Sequence, residues 1–207
     1  MLEIRDVETI DKKSLNHIGR KYKKKQILLY DTKRRVDDFV SKIKYRKGGN
    51  YEDIPHFIVS KMGDIYQVLD MDYSSVTFGD HDLDRKQIKI AVENLGWLHK
   101  NTITGYYSNW IGDPHRTEPF IRSWRDKFYW DRYTDQQMKS IVNLCEYICE
   151  EKQIDKRVVP SHGYIEKIDK FKGIVCKSNF SSIYTDINPS FNFGVFFNYA
   201  NENENRL

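Results

Sequence analysis

Side chains able to ligate a metal or move a proton are scattered along this chain, and the most telling group lies in GIVCKSNFSSIYTDINPSFNF, Gly173 to Phe193. The segment reads as a buried strand over Gly173 to Cys176, a polar loop, and then Asp186 closed off by Asn-Pro-Ser-Phe. A catalytic zinc takes about three protein ligands, His, Cys or carboxylate, and keeps one position open for water. His162, in Pro160-Ser161-His162-Gly163, follows an apolar Val-Val pair and is the histidine able to join Asp186 in such a set. His81 and His115 fall in loop sequence and read as solvated. Cys145 and Cys149 sit four apart on one helix face; without a second cysteine pair they read, with Cys176, as buried structural thiols.

These groups need elements to hold them. Residues 1–25 form a polar, charged extension. Gln26 to Tyr30 (QILLY) is apolar enough for a buried strand, and Asp31-Thr32 are suited to cap the helix that follows. Val36, Phe39, Val40 and Ile43 recur at helical spacing over Lys33 to about Arg46, and Gly48-Gly49-Asn50 stops them. His56–Val59 and Ile65–Leu69 flank Lys61-Met62-Gly63-Asp64 as a hairpin, and Ile88–Glu93 is the next strand. Residues 96–133, rich in Trp, Tyr, Gly and Pro, read as a long surface insertion, a natural docking surface. Thr134 and Gln137 make a capping-box pattern that opens a helix to about Lys152. Residues 198–207 (ending NENENRL) read as a disordered tail. The whole is a single α/β domain over 26–197, with a central mixed sheet flanked by helices.

Bulk properties narrow the function classes. The 207 residues are 31% charged and 14% aromatic with net charge +4, and mean hydropathy is -0.72. No apolar run is long enough to span a membrane, so membrane insertion is not expected. The basic residues form no nucleic-acid-binding motif, so nucleic acid is not expected as a partner. The N-terminus lacks the apolar stretch of a signal peptide. Synthesis and retention in a cytoplasm are expected, or exit by host lysis or packaging into a virion.

Five pieces in order then resemble the type-2 N-acetylmuramoyl-L-alanine amidases and peptidoglycan-recognition proteins, over Gln26 to Phe193. They are QILLYDT, PHFIVSKMGDIYQVLD, VTFGDHDLDRKQIKIAVEN, YTDQQMKSIVNLCEYICEE and the Gly173–Phe193 segment. The resemblance implies an amidase fold and a zinc held by two histidines and one Asp or Cys. Those positions here are Tyr30, Lys177 and Asp186. A neutral phenol is a poor zinc ligand and a protonated amine is none. The expectation is therefore no zinc, with Lys177 replacing the cation beside Asp186 and Tyr30 adding its hydroxyl. The same resemblance implies substrate-binding roles for His56, Phe78, Tyr30, Lys177 and Asp186. It makes the chain a peptidoglycan-binding or docking module, such as a phage tail component. The alternatives are an active zinc amidase using His162 and Asp186, or an intracellular regulator that binds another protein.

Overall fold

The computed structural model describes residues 2–7, 15, 17–46, 51 and 53–196. The Gly48–Asn50 helix stop and the tail expected to be disordered lie outside them.

Two strands with every residue buried set the centre of the molecule: β2 (Gln26–Asp31) and β5 (Gln87–Val92). Strands that read as nearly continuous apolar runs are covered on both faces, and helices on the two faces provide the cover. The long helix α3 (Asp135–Lys152) lays Met138, Ile141, Leu144, Cys145 and Ile148 against Ile27, Leu29, Ile88 and Ile90. On the opposite face α1 (Val36–Tyr45) contributes Phe39 and Ile43 to a cluster with Tyr30, Ile58 and Ala91. The expected capping box holds: Thr134 accepts from the Gln137 amide, and Gln137 returns the bond to the Thr134 amide. All three cysteines are buried free thiols.

The remaining strands of this sheet are β1 (Ile4–Asp6), β3 (Phe57–Val59), β4 (Ile65–Gln67) and β11 (Gly173–Cys176). Their order is β1-β4-β3-β5-β2-β11. Strands β3, β5, β2 and β11 run parallel, while β4 opposes β3 as the hairpin signal predicts. The sheet is mixed and the fold class is as read from the sequence. The C-terminal ends of the parallel strands share one edge, where ligands bind in open α/β sheets.

Three expectations need correction. The N-terminal extension is not outside the domain: β1 adds a parallel edge strand to β4, and Lys24 is buried with its ammonium on the carbonyls of Tyr73 and Arg85. Helix α1 starts at Val36, and its N-cap position is Arg35, which makes no side-chain cap bond. Asp31 and Thr32 do not cap it because both are drawn inward, Asp31 to the Tyr133 hydroxyl and Thr32 to the Asn94 amide. The stretch 96–133, read as a long surface insertion without assigned strands, has regular structure. It forms β6 (Trp97–Lys100), β7 (Tyr107–Ser108), β8 (Pro114–His115), β9 (Phe120–Trp124) and β10 (Lys127–Trp130), a five-stranded antiparallel sheet ordered β8-β7-β6-β10-β9. The β9–β10 turn places Arg125 (φ 50) and Asp126 (φ 58) in left-handed conformation, a pair of positions where Asn-Gly or Asp-Gly is the usual signal. No described helix is long and apolar enough to cross a membrane.

One charge lies in the middle of the core. Lys89 of β5 is wholly buried, and its ammonium meets the Asp84 carboxylate at 3.0 Å. Asp84 ends the short helix α2 (His81–Asp84), and its Oδ1 also accepts from the Thr77 amide at 3.0 Å. The ammonium binds Ser75 as well, so the ion pair staples the 75–84 loop to the sheet. Removing one partner of such a pair strands the other in low dielectric. Asp84→Ala is expected to cost about 3–5 kcal/mol, measured by urea unfolding; a loss under about 1 kcal/mol would mean that Lys89 is otherwise neutralised.

Candidate functional site

Strand register builds the site. Cys176 of β11 lies opposite Leu29 of β2, so the next residue on each strand, Lys177 and Tyr30, emerge side by side at the C-terminal edge. The Lys177 ammonium sits 5.2 Å from the Tyr30 ring centroid and 5.3 Å from that of Tyr184. Its carboxylate partner is Asp53, at 3.6 Å. Burial works against the Lys177 charge, but Asp53, Asp186 and Tyr184 outweigh it and raise the ammonium above its ordinary value. Asp53 is held in turn by the Thr77 hydroxyl at 2.8 Å. Phe78 follows Thr77 and stacks on Phe180 (4.7 Å) and Tyr184 (6.0 Å), forming the aromatic wall of the site.

Asp186 does not take Lys177 as its ion-pair partner. It takes Lys33, whose Nζ lies 2.8 Å from Oδ1. The expected Lys177–Asp186 pair is thus replaced by two pairs, Lys177–Asp53 and Lys33–Asp186, although Lys177 remains within the field of Asp186. Tyr30 meets Lys177 with its ring rather than its hydroxyl. Burial first, and then Asp53, push the Tyr30 phenol well above its ordinary value, so it stays neutral. Asp31, the last residue of β2, is enclosed beside Asp186 and accepts the Tyr133 hydroxyl proton. Burial, then Asp186, hold the Asp31 carboxyl well above the usual carboxylate range, against the Tyr133 bond and Lys33.

The second sheet reaches this edge. From its β9–β10 turn, Arg125 stacks on Trp124 at 4.4 Å and donates to the carbonyls of Ser178 (3.3 Å) and Ser181 (3.2 Å). These bonds clamp the loop between Lys177 and Asp186.

His56, His162 and His115 are held by other contacts. His56 is fully buried; its Nδ1 accepts the Lys89 amide at 2.9 Å, so its Nε2 carries the proton and donates to the Tyr73 carbonyl at 3.1 Å. That leaves neither nitrogen for a ligand, and the burial drives its pKa well below the ordinary value. His162 packs against Phe193 (4.8 Å) and Trp124 (6.0 Å) and bonds the Ile187 carbonyl at 3.2 Å. Burial, with Arg122 and Arg125 nearby, lowers its pKa. His115, expected to be solvated, is instead buried against Asp131 at 3.1 Å. His81, in the first turn of α2, is exposed as expected.

These residues do not fit a zinc ion. Among the described residues, no three His, Cys, Asp or Glu side chains stand together as a metal site. Where the strands end, the chain presents a neutral phenol and an ammonium, neither of them a zinc donor at neutral pH. Two cavities lie away from this edge: one of about 710 Å³ between β1 and α1, lined by Val36, Val40 and Tyr66, and one of about 690 Å³ beside Tyr107 and His115. Sequence reading missed Lys33, Asp53, Tyr184 and Arg125, and took Asp31 for a helix cap. None carries a local signal, because each becomes a neighbour only through the sheet register.

Residues 20–173 match the family model of the N-acetylmuramoyl-L-alanine amidases. The chain belongs to that family. No curated protein matches it by sequence. Among solved structures it is similar to the N-acetylmuramoyl-L-alanine amidase LysC from Clostridium intestinale, at 13% identity and TM-score 0.58, over 97% of this chain and 99% of that one. The endolysine amidase LysCS from the same organism is 14% identical at TM-score 0.55, with 97% of each chain covered. AmpDh3 from Pseudomonas aeruginosa, solved with anhydromuramic pentapeptide, is 12% identical at TM-score 0.54, over 97% of this chain and 67% of that one. At such identities the likeness shows the fold.

The Asp31 carboxyl sets a pH dependence. Its raised value means that the folded chain holds a proton which the unfolded chain loses above pH about 4. Unfolding free energy therefore falls as pH rises past that point, by up to about 1.4 kcal/mol per pH unit until Asp31 ionises. Asp31→Asn keeps an acceptor for Tyr133 and is expected to remove this slope. Urea titrations of both proteins from pH about 4 to about 7 check it; identical slopes would show that Asp31 carries no such proton. The comparison cancels Asp131, whose pKa His115 and Lys61 lower despite its burial and which acts with the opposite sign.

Proposed function

We propose that this chain is a zinc-free member of the family that binds peptidoglycan without cleaving it, as a docking module in a larger assembly such as a phage virion. The observation that carries the reading is the chemistry at the two strand ends. Tyr30 and Lys177 stand where the family resemblance places zinc histidines, and the carboxylate that remains, Asp186, is already paired with an ammonium. An amidase of this type needs a metal to polarise the scissile carbonyl and lower the pKa of the attacking water. Nothing in the pair Tyr30 and Lys177 supplies that role.

What the edge does offer is recognition chemistry. Lys177 is a charged donor fixed between two aromatic rings, and Phe78 and Tyr184 are half-buried surfaces beside it. A carboxylate of a stem peptide would share Lys177 with Asp53, and apolar or sugar faces would stack on Phe78 and Tyr184. A role in an assembly draws support from the second sheet, which leaves Tyr106, Trp110, Ile121 and Phe128 exposed.

Purified protein mixed with insoluble cell-wall sacculi is the test. The protein is expected to co-sediment, to carry no stoichiometric zinc, and to release no soluble fragments. Lys177→Ala combined with Phe78→Ala is expected to weaken sedimentation roughly tenfold, the equivalent of about 1.4 kcal/mol. Fragment release that a chelator blocks and that His162→Ala or Asp186→Ala abolishes would overturn the reading in favour of an active amidase. A protein that ignores sacculi but co-purifies with another protein would favour the regulator.

A further inference from the structure

We infer that Lys33 is the resident cation of this site, an ammonium tethered to the chain that neutralises Asp186 and keeps free cations out. The inference rests on the zinc-free reading above and goes further by naming the group that made a metal dispensable. It is not the lysine at the family's ligand position, Lys177, which is committed to Asp53 and the two tyrosine rings.

Three observations converge on Lys33. The Asp186 side chain is 2% exposed and the Lys33 side chain 34%, so the amine reaches the carboxylate from the solvent side and covers it. A buried carboxylate needs a counter-charge, and removing its partner is far more costly than the pair is worth at a surface. The backbone at Lys33 is left-handed, with φ 58, a conformation that costs a non-glycine residue roughly 1 kcal/mol. Such a conformation persists only where its surroundings enforce it. Here the Asn109 amide of the second sheet holds the Lys33 carbonyl at 3.3 Å. Gly96 lies against the lysine stem, close enough that a Cβ there would stand 3.6 Å from Lys33 Cγ. The chain thus aims this amine at Asp186 with two contacts from a sheet that has no part in the central core.

A tethered cation acts at high effective concentration, so a dissolved ion cannot compete with it. The corollary is that deleting the amine turns the place into a cation site. The ligand class is a primary alkylammonium, paired with Asp186 next to Asp31.

Thermal unfolding of Lys33→Ala tests this, with n-propylammonium chloride, which restores the deleted atoms, as the probe. The melting midpoint is expected to fall by about 5 °C or more, and to recover saturably with the probe. Wild type and Lys177→Ala are expected to show no saturable rise with it. Should Lys33→Ala not fold, Lys33→Met alone and combined with Asp186→Asn give the same answer: the double variant is expected to regain most of the midpoint lost by Lys33→Met. Equal midpoints for Lys33→Ala and wild type, no recovery with the probe, or strictly additive losses at positions 33 and 186 would overturn the role of Lys33 and leave the zinc-free reading standing. Stoichiometric zinc in wild type would overturn both.

Discussion

Neutralising carboxylates that are buried or half-buried around the central mixed sheet is the constraint on which this structure depends. Asp84, Asp53 and Asp186 each meet a lysine, Lys89, Lys177 and Lys33, and Asp131 meets Lys61 and His115. The partners come from different segments in every case, so each pair ties two separate stretches of chain together. Asp84 fastens the 75–84 loop to β5, and Asp186 fastens the last segment to the turn after β2. Such pairs add little net stability over apolar packing, but they penalise any arrangement that separates them. The cost of mispairing fixes the geometry of the strand ends.

The second sheet is the brace for that geometry. Its Asn109 and Arg125 bond the backbone on opposite sides of Asp186, at Lys33 and at Ser178 and Ser181. Its last strand leads directly to Asp131, whose carbonyl accepts from Asn94, Asn188 and Ser190. Asn188 follows Asp186 by two residues, so the loop that carries the carboxylate is tied down at both ends. A site built from loop residues is as sharp as its support, and here the support is an extra sheet.

The elements were legible where local rules are strong. The capping box and apolar face of α3, the two central strands and the Gly63 hairpin follow from periodicity and turn chemistry, and they carried the family resemblance. The extra sheet was illegible because its strands are short and one of its turns uses Arg125-Asp126 in place of the usual signal. Asp31-Thr32 misled for a related reason: a helix cap and a buried strand end use the same residue types, and only the presence of Tyr133 and Asn94 separates the two.

Sequence alone determined which side chains were on hand, Asp186, Lys177 and Tyr30 among them, and a fold able to bring them together. It did so because strand, helix and family patterns are written within short windows. Only the tertiary structure decided that Lys177 pairs with Asp53 while Lys33 takes Asp186, that His56 is spent on the backbone, and that residues 96–133 fold into a bracing sheet. Charge pairing acts across a few ångströms between residues 120 or more apart in the chain, and strand register rather than sequence spacing sets those distances.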